Sequence, residues 1–267
     1  MDKRPVVIFD SGLGGLTAVK ALHELLPEED IIYFADSARV PYGCRTPDEL
    51  RIMTGQNLDF LSSFGVKAVM AACGTVSSNT PEVLENYFIP AFGVIKASIK
   101  AMSAIPGSAP LGITATAASI KSGAVQRGIM KSCPGRKLVC APCPDFVTLI
   151  ESGHSAPDDR LLKEAVRKYL SPLKESGVAA VLLGCTHFGI ISEAITDFMG
   201  RDVRLVSAAE LAAEDFAGFL ENNSLTGGSG SLRCYTSGSP EEFSALASTF
   251  LGRELEIPPE HVEAMEV

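Results

Sequence analysis

The sequence has little positive charge and no long apolar run. Its 23 Lys and Arg residues stand against 32 Asp and Glu residues, which gives a formal net charge of −9. This balance argues against nucleic acid and anionic membrane surfaces as general partners. No run approaches the roughly 18 apolar residues of a membrane span, and the apolar stretch near residue 5 is too short for a signal peptide. We therefore expect a cytoplasmic protein that binds neither nucleic acid nor membrane.

The cysteines predict neither a disulfide framework nor a metal site. There are seven of them, an odd number, and large chains without a secretion signal rarely depend on disulfides. Cys140 and Cys143 have the CxxC spacing of a zinc site, but a structural zinc ion takes four ligands and a second such pair is missing. The chain also carries no evident nicotinamide signature. We therefore expect free thiols, no metal and no cofactor.

Short apolar strands alternate with amphipathic helices along the chain. The predicted strands are 5–10, 30–36, 67–73, 91–95, 111–114, 137–142, 179–185, 203–207 and 233–237. The predicted helices are 16–27, 47–64, 81–87, 96–104, 119–130, 158–173, 190–199, one after 208, and 240–251. This alternation indicates an α/β fold with mainly parallel sheets that are covered by helices on both faces.

A repeat divides the chain into two related parts. Residues 65–75, GVKAVMAACGT, match residues 177–187, GVAAVLLGCTH, at an offset of 112 residues that also places Cys73 on Cys185. We therefore expect two pseudo-symmetric α/β lobes with the active site in the cleft between them. The predicted division is 1–97 plus 208–267 for the first lobe and 98–207 for the second, with a linker near 105–110.

Cys73 and Cys185 each end a predicted strand, where open parallel sheets bind their ligands. Asp10 and Asp36 also lie at the carboxyl ends of predicted strands. Either cysteine alone would be read as a small buried hydrophobe, but two matched thiols suit a proton transfer that inverts a carbon centre. One thiol would remove a proton and the other would supply one from the opposite face, because a thiol pKa of about 8.5 is easily lowered by positive neighbours. His187 could hold or exchange a proton near neutrality.

The glycine-rich stretch FDSGLGGL, residues 9–16, has two interpretations. It suggests a phosphate-binding turn, but it is not GxGxxG and Asp10 would repel phosphate. The glycines could instead allow close packing of a strand on a helix. In that case Asp10 and Ser11 could meet a cationic group such as an ammonium.

Several motifs together resemble the glutamate racemases of the cofactor-independent aspartate/glutamate racemase superfamily. They occur in the family's order and spacing: FDSGLGGL, PYG, AACGTVSSN, TATAAS, CPDFVTLIESG and LLGCTHF. The resemblance covers nearly the full chain. It implies racemisation of glutamate without a cofactor, a homodimer, and a supply of D-glutamate to peptidoglycan that supports the cell wall and cell shape.

The resemblance also implies roles for individual residues. Cys73 and Cys185 would be the two acid/base residues, with Asp10 and His187 as assisting neighbours and Glu151 as a further acid near the cleft. Positions that would contact the amino-acid substrate are Ser11, Pro41, Tyr42, Gly43, Gly74, Thr75, Thr116, Ser119 and Thr186.

Three positions depart from the family pattern. Gly74 stands where the family usually has asparagine, Ser119 where it has threonine, and Gly189 where it has proline. The proton-transfer pair is intact, but the loss of a side-chain amide beside Cys73 leaves the substrate open. The alternatives are a related racemase acting on aspartate or another small carboxylate, or a non-catalytic homologue that binds a protein partner.

Overall fold

A computed structural model describes residues 2–264 and 266 of the chain. Ten strands lie within these residues: Val6–Asp10 (β1), Ile31–Ala35 (β2), Ala68–Ala71 (β3), Ala91–Gly93 (β4), Leu111–Ala115 (β5), Leu138–Pro142 (β6), Ala180–Leu183 (β7), Arg204–Ser207 (β8), Leu232–Thr236 (β9) and Glu260–His261 (β10). They form two parallel sheets, one of six strands in the order β10-β9-β2-β1-β3-β4 and one of four in the order β6-β5-β7-β8.

Helices connect the strands, as parallel pairing requires. They are Leu16–Leu25 (α1), Pro47–Ser62 (α2), Gly74–Asn79 (α3), Pro81–Glu85 (α4), Ile95–Ser103 (α5), Ala117–Ser122 (α6), Ala124–Ser132 (α7), Pro144–Glu151 (α8), Arg160–Glu175 (α9), Ser192–Met199 (α10), Ala208–Asn222 (α11) and Pro240–Leu251 (α12). Short 3-10 turns lie at Ser37–Arg39, Tyr42–Cys44 and Thr186–Gly189. The predicted α/β class with mainly parallel sheets is confirmed.

The central strand β1 is apolar because both of its faces are covered. Val6 and Ile8 belong to one buried apolar cluster, while Val7 and Phe9 belong to a second cluster on the other face. Alternate residues of a strand point to opposite faces, so a strand buried on both sides becomes a continuous apolar run. The VVIF run of β1 has this form.

Some helix boundaries follow directly from capping residues. The Thr46 hydroxyl accepts a hydrogen bond from the backbone N–H of Glu49, and the Glu49 carboxylate accepts one from the backbone N–H of Thr46. Pro47 occupies the first turn of α2, where its missing N–H is tolerated. The reciprocal pair satisfies two backbone donors that a helix start leaves free.

Several helices differ from the sequence prediction. The helix predicted at 119–130 is two helices, α6 and α7, because the left-handed backbone of Gly123 (φ 67°) ends the first of them. Helix α3 was not predicted, because it is short, is rich in small and β-branched residues, and lacks the apolar residues at helical spacing that mark an amphipathic helix. Helix α8, which begins at Pro144, is absent from the predicted helices.

The repeat in the sequence corresponds to matching strands, one in each sheet. Strands β3 and β7 lie 112 residues apart, and Cys73 and Cys185 directly precede α3 and the turn Thr186–Gly189. The returning segment after residue 207 adds β9 and the short strand β10, which was not among the predicted strands, to the edge of the six-stranded sheet next to β2. The lobe boundaries themselves stay a prediction. Within the described residues, each helix is too short or too polar to span a membrane.

Candidate active site

A cleft of about 380 Å³ lies where the carboxyl ends of strands from both sheets meet. All of the predicted site residues except Ser119 line it. Asp10 ends β1 and Ser11 follows it, while Cys73 lies just after β3 and Cys185 just after β7. Asp36 directly follows β2 and lies next to Asp10, but it does not line the cleft. The cleft therefore gathers the residues that the sequence analysis singled out, and their chemical roles stay predictions.

Cys73 lies in a buried, hydroxyl-rich environment. Its Sγ atom is 3.7 Å from the Ser11 hydroxyl oxygen. The Asp10 carboxylate accepts from the Ser11 backbone N–H at 2.7 Å, and its other oxygen accepts from the Thr186 hydroxyl at 2.9 Å. Burial raises the pKa of the Cys73 thiol above its ordinary value, and the charge of Asp10 raises it further. Cys73 is therefore held in its protonated form at neutral pH.

Cys185 has a different set of neighbours. Its Sγ atom lies 3.9 Å from Nδ1 of His187, whose Nε2 lies 2.9 Å from a Glu151 carboxylate oxygen. Burial alone would lower the pKa of His187, but hydrogen bonding to Cys185 and to Glu151 outweighs it and raises the pKa to about 10. The imidazole is therefore cationic at neutral pH, and a cation beside a sulfur atom stabilises negative charge on that sulfur.

The turn after β1 packs directly on the turn Thr186–Gly189, which follows β7 in the second sheet. A Cβ atom placed on Gly14 would lie 2.2 Å from Nδ1 of His187 and 2.4 Å from the Thr186 hydroxyl oxygen. The Thr17 hydroxyl donates to the Thr186 carbonyl at 3.3 Å. Of the two interpretations of FDSGLGGL, the structure supports close packing of strand and helix, because a Cβ atom placed on Gly15, directly before α1, would lie 2.8 Å from the Asp10 Cβ atom on β1.

Ser119 lies behind the cleft, at the end of a chain of hydroxyl groups. Thr116 donates to the Ser119 hydroxyl at 3.0 Å, and the hydroxyl oxygens of Thr75 and Thr116 are 3.1 Å apart. Because the Thr116 hydrogen is used on Ser119, Thr75 must donate to Thr116. Ser119 thus orients Thr116, and the free lone pairs of Thr75 are suited to accept from a ligand ammonium.

Several residues of the cleft were not predicted from the sequence. Cys44 and Cys143 line it, so four of the seven cysteines face one cavity. Burial raises the pKa of Cys143 to about 12, with a contribution from the nearby Cys185. Val40 and Val147 add apolar lining. The position of Cys143 directly before α8 was the available signal. Across residues 2–264 and 266, no three His, Cys, Asp or Glu side chains converge as metal ligands would.

Comparison with known proteins identifies the family. A model of the family described as Asp/Glu/Hydantoin racemase matches residues 16–216. The chain belongs to this family. Within it, a relative named glutamate racemase from Geobacter metallireducens is 35% identical over 259 residues, with 96% of this chain and 95% of the relative covered. The prediction of an isomerase similar to glutamate racemases is confirmed.

Solved structures of the same family share the fold. Glutamate racemase from Francisella tularensis, solved in complex with D-glutamate, is 34% identical with a TM-score of 0.90, and the match covers 99% of both chains. Glutamate racemase from Thermus thermophilus, solved in complex with beta-chloro-D-alanine, is 36% identical with a TM-score of 0.87, and the match covers 98% of both chains.

Proposed function

We propose that this protein interconverts L- and D-glutamate by two-base proton transfer, with Cys73 and Cys185 as the acid/base pair. One observation carries the proposal: the two thiols follow matching strands of different sheets and line the same cleft. A cleft with one thiol on each side can act on both faces of an α-carbon. The family relationship supports the choice of an acidic amino acid, since its named relatives are glutamate racemases.

The proposed reaction moves one proton in and one proton out. A Cys185 thiolate takes the α-proton and forms an S–H bond, while the electron pair of the broken C–H bond delocalises into the substrate carboxylate. The Cys73 thiol then gives its proton to the opposite face of the carbon and becomes a thiolate. The reverse reaction uses the same groups with exchanged roles. Proton transfer by a positioned group contributes roughly 10² to 10⁴ in rate.

The neighbours of the two thiols support an unequal resting state. His187, as a cation held by Glu151, favours negative charge on Cys185, whereas burial and Asp10 favour a protonated Cys73. A base and an acid are thus ready on opposite sides. Asp10 and His187 would assist the return of protons between turnovers.

The substrate would be held by polar groups around the cleft. We propose that these are Ser11, Pro41, Tyr42, Gly43, Gly74, Thr75, Thr116 and Thr186, with Ser119 acting through Thr116. No cofactor or metal is expected to take part. Dialysis against a chelator and treatment with hydroxylamine should both leave the rate unchanged, whereas loss of activity on chelation would favour a cysteine-bound metal.

The wider proposal follows the family resemblance. The protein would be a cytoplasmic homodimer that supplies D-glutamate for peptidoglycan. Its lobes would be 1–97 with 208–267, around the six-stranded sheet, and 98–207, around the four-stranded sheet. One observation favours an alternative to glutamate as the substrate, namely aspartate or another small carboxylate: Gly74 offers no side-chain amide to the cleft.

Hydrogen exchange in heavy water tests the proposal. Each enantiomer of glutamate and aspartate is incubated with the protein in D₂O, and deuterium at the α-carbon is followed together with optical rotation. The proposal expects exchange and racemisation of glutamate. Cys73→Ser and Cys185→Ser should each nearly abolish racemisation, because a hydroxyl is a far weaker acid than a thiol. Exchange with aspartate alone would favour the alternative substrate, and no exchange with any acid would favour a non-catalytic homologue.

A further inference from the structure

Asp36 is a buried acid beside the cleft that the proposed reaction does not use. Its backbone N–H donates to the backbone carbonyl of Asp10 at 3.0 Å, so the two residues end neighbouring strands side by side. Its side chain is fully buried yet does not line the cleft. A buried carboxylate is costly unless it is paired and hydrogen-bonded, and the partners of Asp36 indicate what it does.

A dense set of donors surrounds the Asp36 carboxylate. The Arg39 guanidinium donates to one oxygen from Nε at 2.7 Å and forms an ion pair with it from a terminal nitrogen at 2.6 Å. The same guanidinium donates to the side-chain oxygens of Gln56 and Asn57 on α2, both at 2.5 Å. Asp36 and Arg39 are therefore fixed relative to one long helix, and the charge of each is compensated.

Tyr42 connects this buried network to the cleft. Its hydroxyl donates to the Asp36 oxygen that Arg39 also contacts, and it accepts from the Asn57 side-chain amide at 3.2 Å. The Tyr42 side chain is buried, while the turn of Pro41, Tyr42 and Gly43 lines the cleft. Burial and the charge of Asp36 raise the pKa of the Tyr42 phenol far above its usual value, so the hydroxyl keeps its proton and remains a donor.

The returning segment of the chain meets the same carboxylate. The Ser237 hydroxyl donates to the second Asp36 oxygen at 2.9 Å and accepts from the backbone N–H of Ala38 at 3.0 Å. Asp36 thus joins the end of β9, helix α2 and the cleft-lining turn at one buried point.

We infer that Asp36 is a positioning residue, which acts through the Tyr42 hydroxyl to hold the turn of residues 41–43 in the geometry that binds substrate. This inference rests on the proposed function, because the turn is expected to contact the amino acid. The Asp36 side chain does not line the cleft, and its hydrogen-bond partners are Arg39, Tyr42, Asn57 and Ser237 rather than the thiol neighbours Ser11 and His187. Its loss should therefore weaken substrate binding and leave the proton-transfer chemistry intact.

Asp36→Asn and Tyr42→Phe test the inference together, with Asp30→Asn as a matched control. Asp30 lies at the other end of β2 and also ties the returning segment, since its carboxylate accepts from the N–H and hydroxyl groups of Ser229 and Ser231. It does not line the cleft. Asp36→Asn and Asp30→Asn should both lower the melting temperature. A change in KM that is seen with Asp36→Asn and not with Asp30→Asn therefore reports on the cleft and not on general stability.

We expect KM for glutamate to rise about tenfold in Asp36→Asn and in Tyr42→Phe, as for the loss of one buried hydrogen bond to a charged group. The value of kcat should stay within about twofold of wild type, and its pH profile should not move. The double variant should be no worse than Asp36→Asn alone, because both changes remove one shared interaction. Asp30→Asn should keep the wild-type KM.

Three results would overturn the inference. These are an unchanged KM in a folded Asp36→Asn or Tyr42→Phe protein, the same KM rise in Asp30→Asn, and a fall in kcat without a change in KM. If Asp36→Asn does not fold, Tyr42→Phe carries the test, because it removes one hydroxyl and keeps the ring. A wild-type protein that neither binds nor exchanges glutamate would contradict the proposed function instead.

Discussion

Gly74 and Gly184 meet backbone to backbone between the two thiols. A Cβ atom placed on Gly74 would lie 2.5 Å from the Gly184 carbonyl oxygen, closer than a side chain tolerates. Gly74 directly follows Cys73, and Gly184 directly precedes Cys185. The segments that carry the two proposed acid/base groups are therefore in direct contact, and any side chain at position 74 must push them apart.

This contact changes the expectation for Gly74→Asn. From the sequence, asparagine would supply a missing amide and could improve glutamate turnover. In the structure its Cβ atom displaces Gly184 before the amide can act. Misplacing a reacting group by about 1 Å can cost roughly a hundredfold in rate. We expect Gly74→Ala and Gly74→Asn to lower kcat/KM for glutamate by about ten- to a hundredfold.

Gly55→Ala is the control for this pair, because a Cβ atom at Gly55 in α2 would meet no described atom within 4 Å apart from its chain neighbours and the backbone of the same helix. It should keep wild-type activity. The measurement is kcat/KM for glutamate and aspartate in all four proteins. A rise above wild type in Gly74→Asn, with a fall in Gly74→Ala, would contradict the steric argument and show that the missing amide limits the reaction.

The local pattern of the sequence predicted the strands β1 to β9, since buried parallel strands are apolar runs. The repeat, which places Cys73 on Cys185, predicted that the two thiols lie at the ends of matching strands. Neither pattern predicted which side chains meet. Asp10 contacts Thr186 across 176 residues of sequence, and Asp36 contacts Ser237 across 201. Contacts of this kind depend on how the sheets and the returning segment pack. The sequence also placed Ser119 in the cleft, whereas it lies behind Thr116 in the structure, because its position depends on the same long-range packing.

The two thiols should differ in reactivity. Cys185 is partly exposed and has a cationic neighbour, whereas Cys73 is buried with its pKa raised. Because the thiolate is the nucleophile, iodoacetamide at pH 7 should modify Cys185 several times faster than Cys73. Peptide mapping by mass spectrometry at short times gives both rates in one sample.

Internal references in the same digest complete this experiment. Cys143 is buried with a pKa near 12 and should react slowly, while the exposed Cys44 should react fast. Bound glutamate should protect Cys185 but leave Cys133 unaffected, since Cys133 does not line the cleft. Equal rates for Cys73 and Cys185 would argue against the unequal resting state.

A buried ion pair between Lys67 and Glu29, outside the cleft, should make a large contribution to the free energy of unfolding. Lys67 and Glu29 pair with almost no exposure, and Lys67 also donates to the backbone carbonyls of Asp2 and Gly227 at 2.8 and 3.2 Å. Lys67→Met leaves a buried carboxylate unpaired, which should lower the free energy of unfolding by about 3 to 5 kcal/mol. Urea denaturation measures the loss, and kcat of the folded protein should not change.

Lys96→Met provides the comparison, because Lys96 pairs with Glu85 on the surface. Exposed ion pairs contribute about 0 to 1 kcal/mol to stability, so Lys96→Met should lower the free energy of unfolding only slightly. The double change Glu29→Gln with Lys67→Met should recover part of the stability, since it removes the unpaired charge. A Lys67→Met protein as stable as Lys96→Met would refute the role of the buried pair.

His187 should make both stability and activity depend on pH above neutrality. Its pKa is raised from about 6.5 in the unfolded chain to about 10 in the fold. The folded state thus binds the proton more tightly, so the stabilisation is complete below pH 6.5 and is lost as pH rises through 10. The free energy of unfolding should fall more steeply from pH 7 to 10 in wild type than in His187→Gln. The variant keeps all the other titrating groups, so the difference between the two slopes reports on His187. Racemisation should hold near neutrality and decline as the pH rises through about 10, where folded His187 loses the charge beside Cys185. Parallel unfolding curves for the two proteins would show that His187 is not the group that titrates.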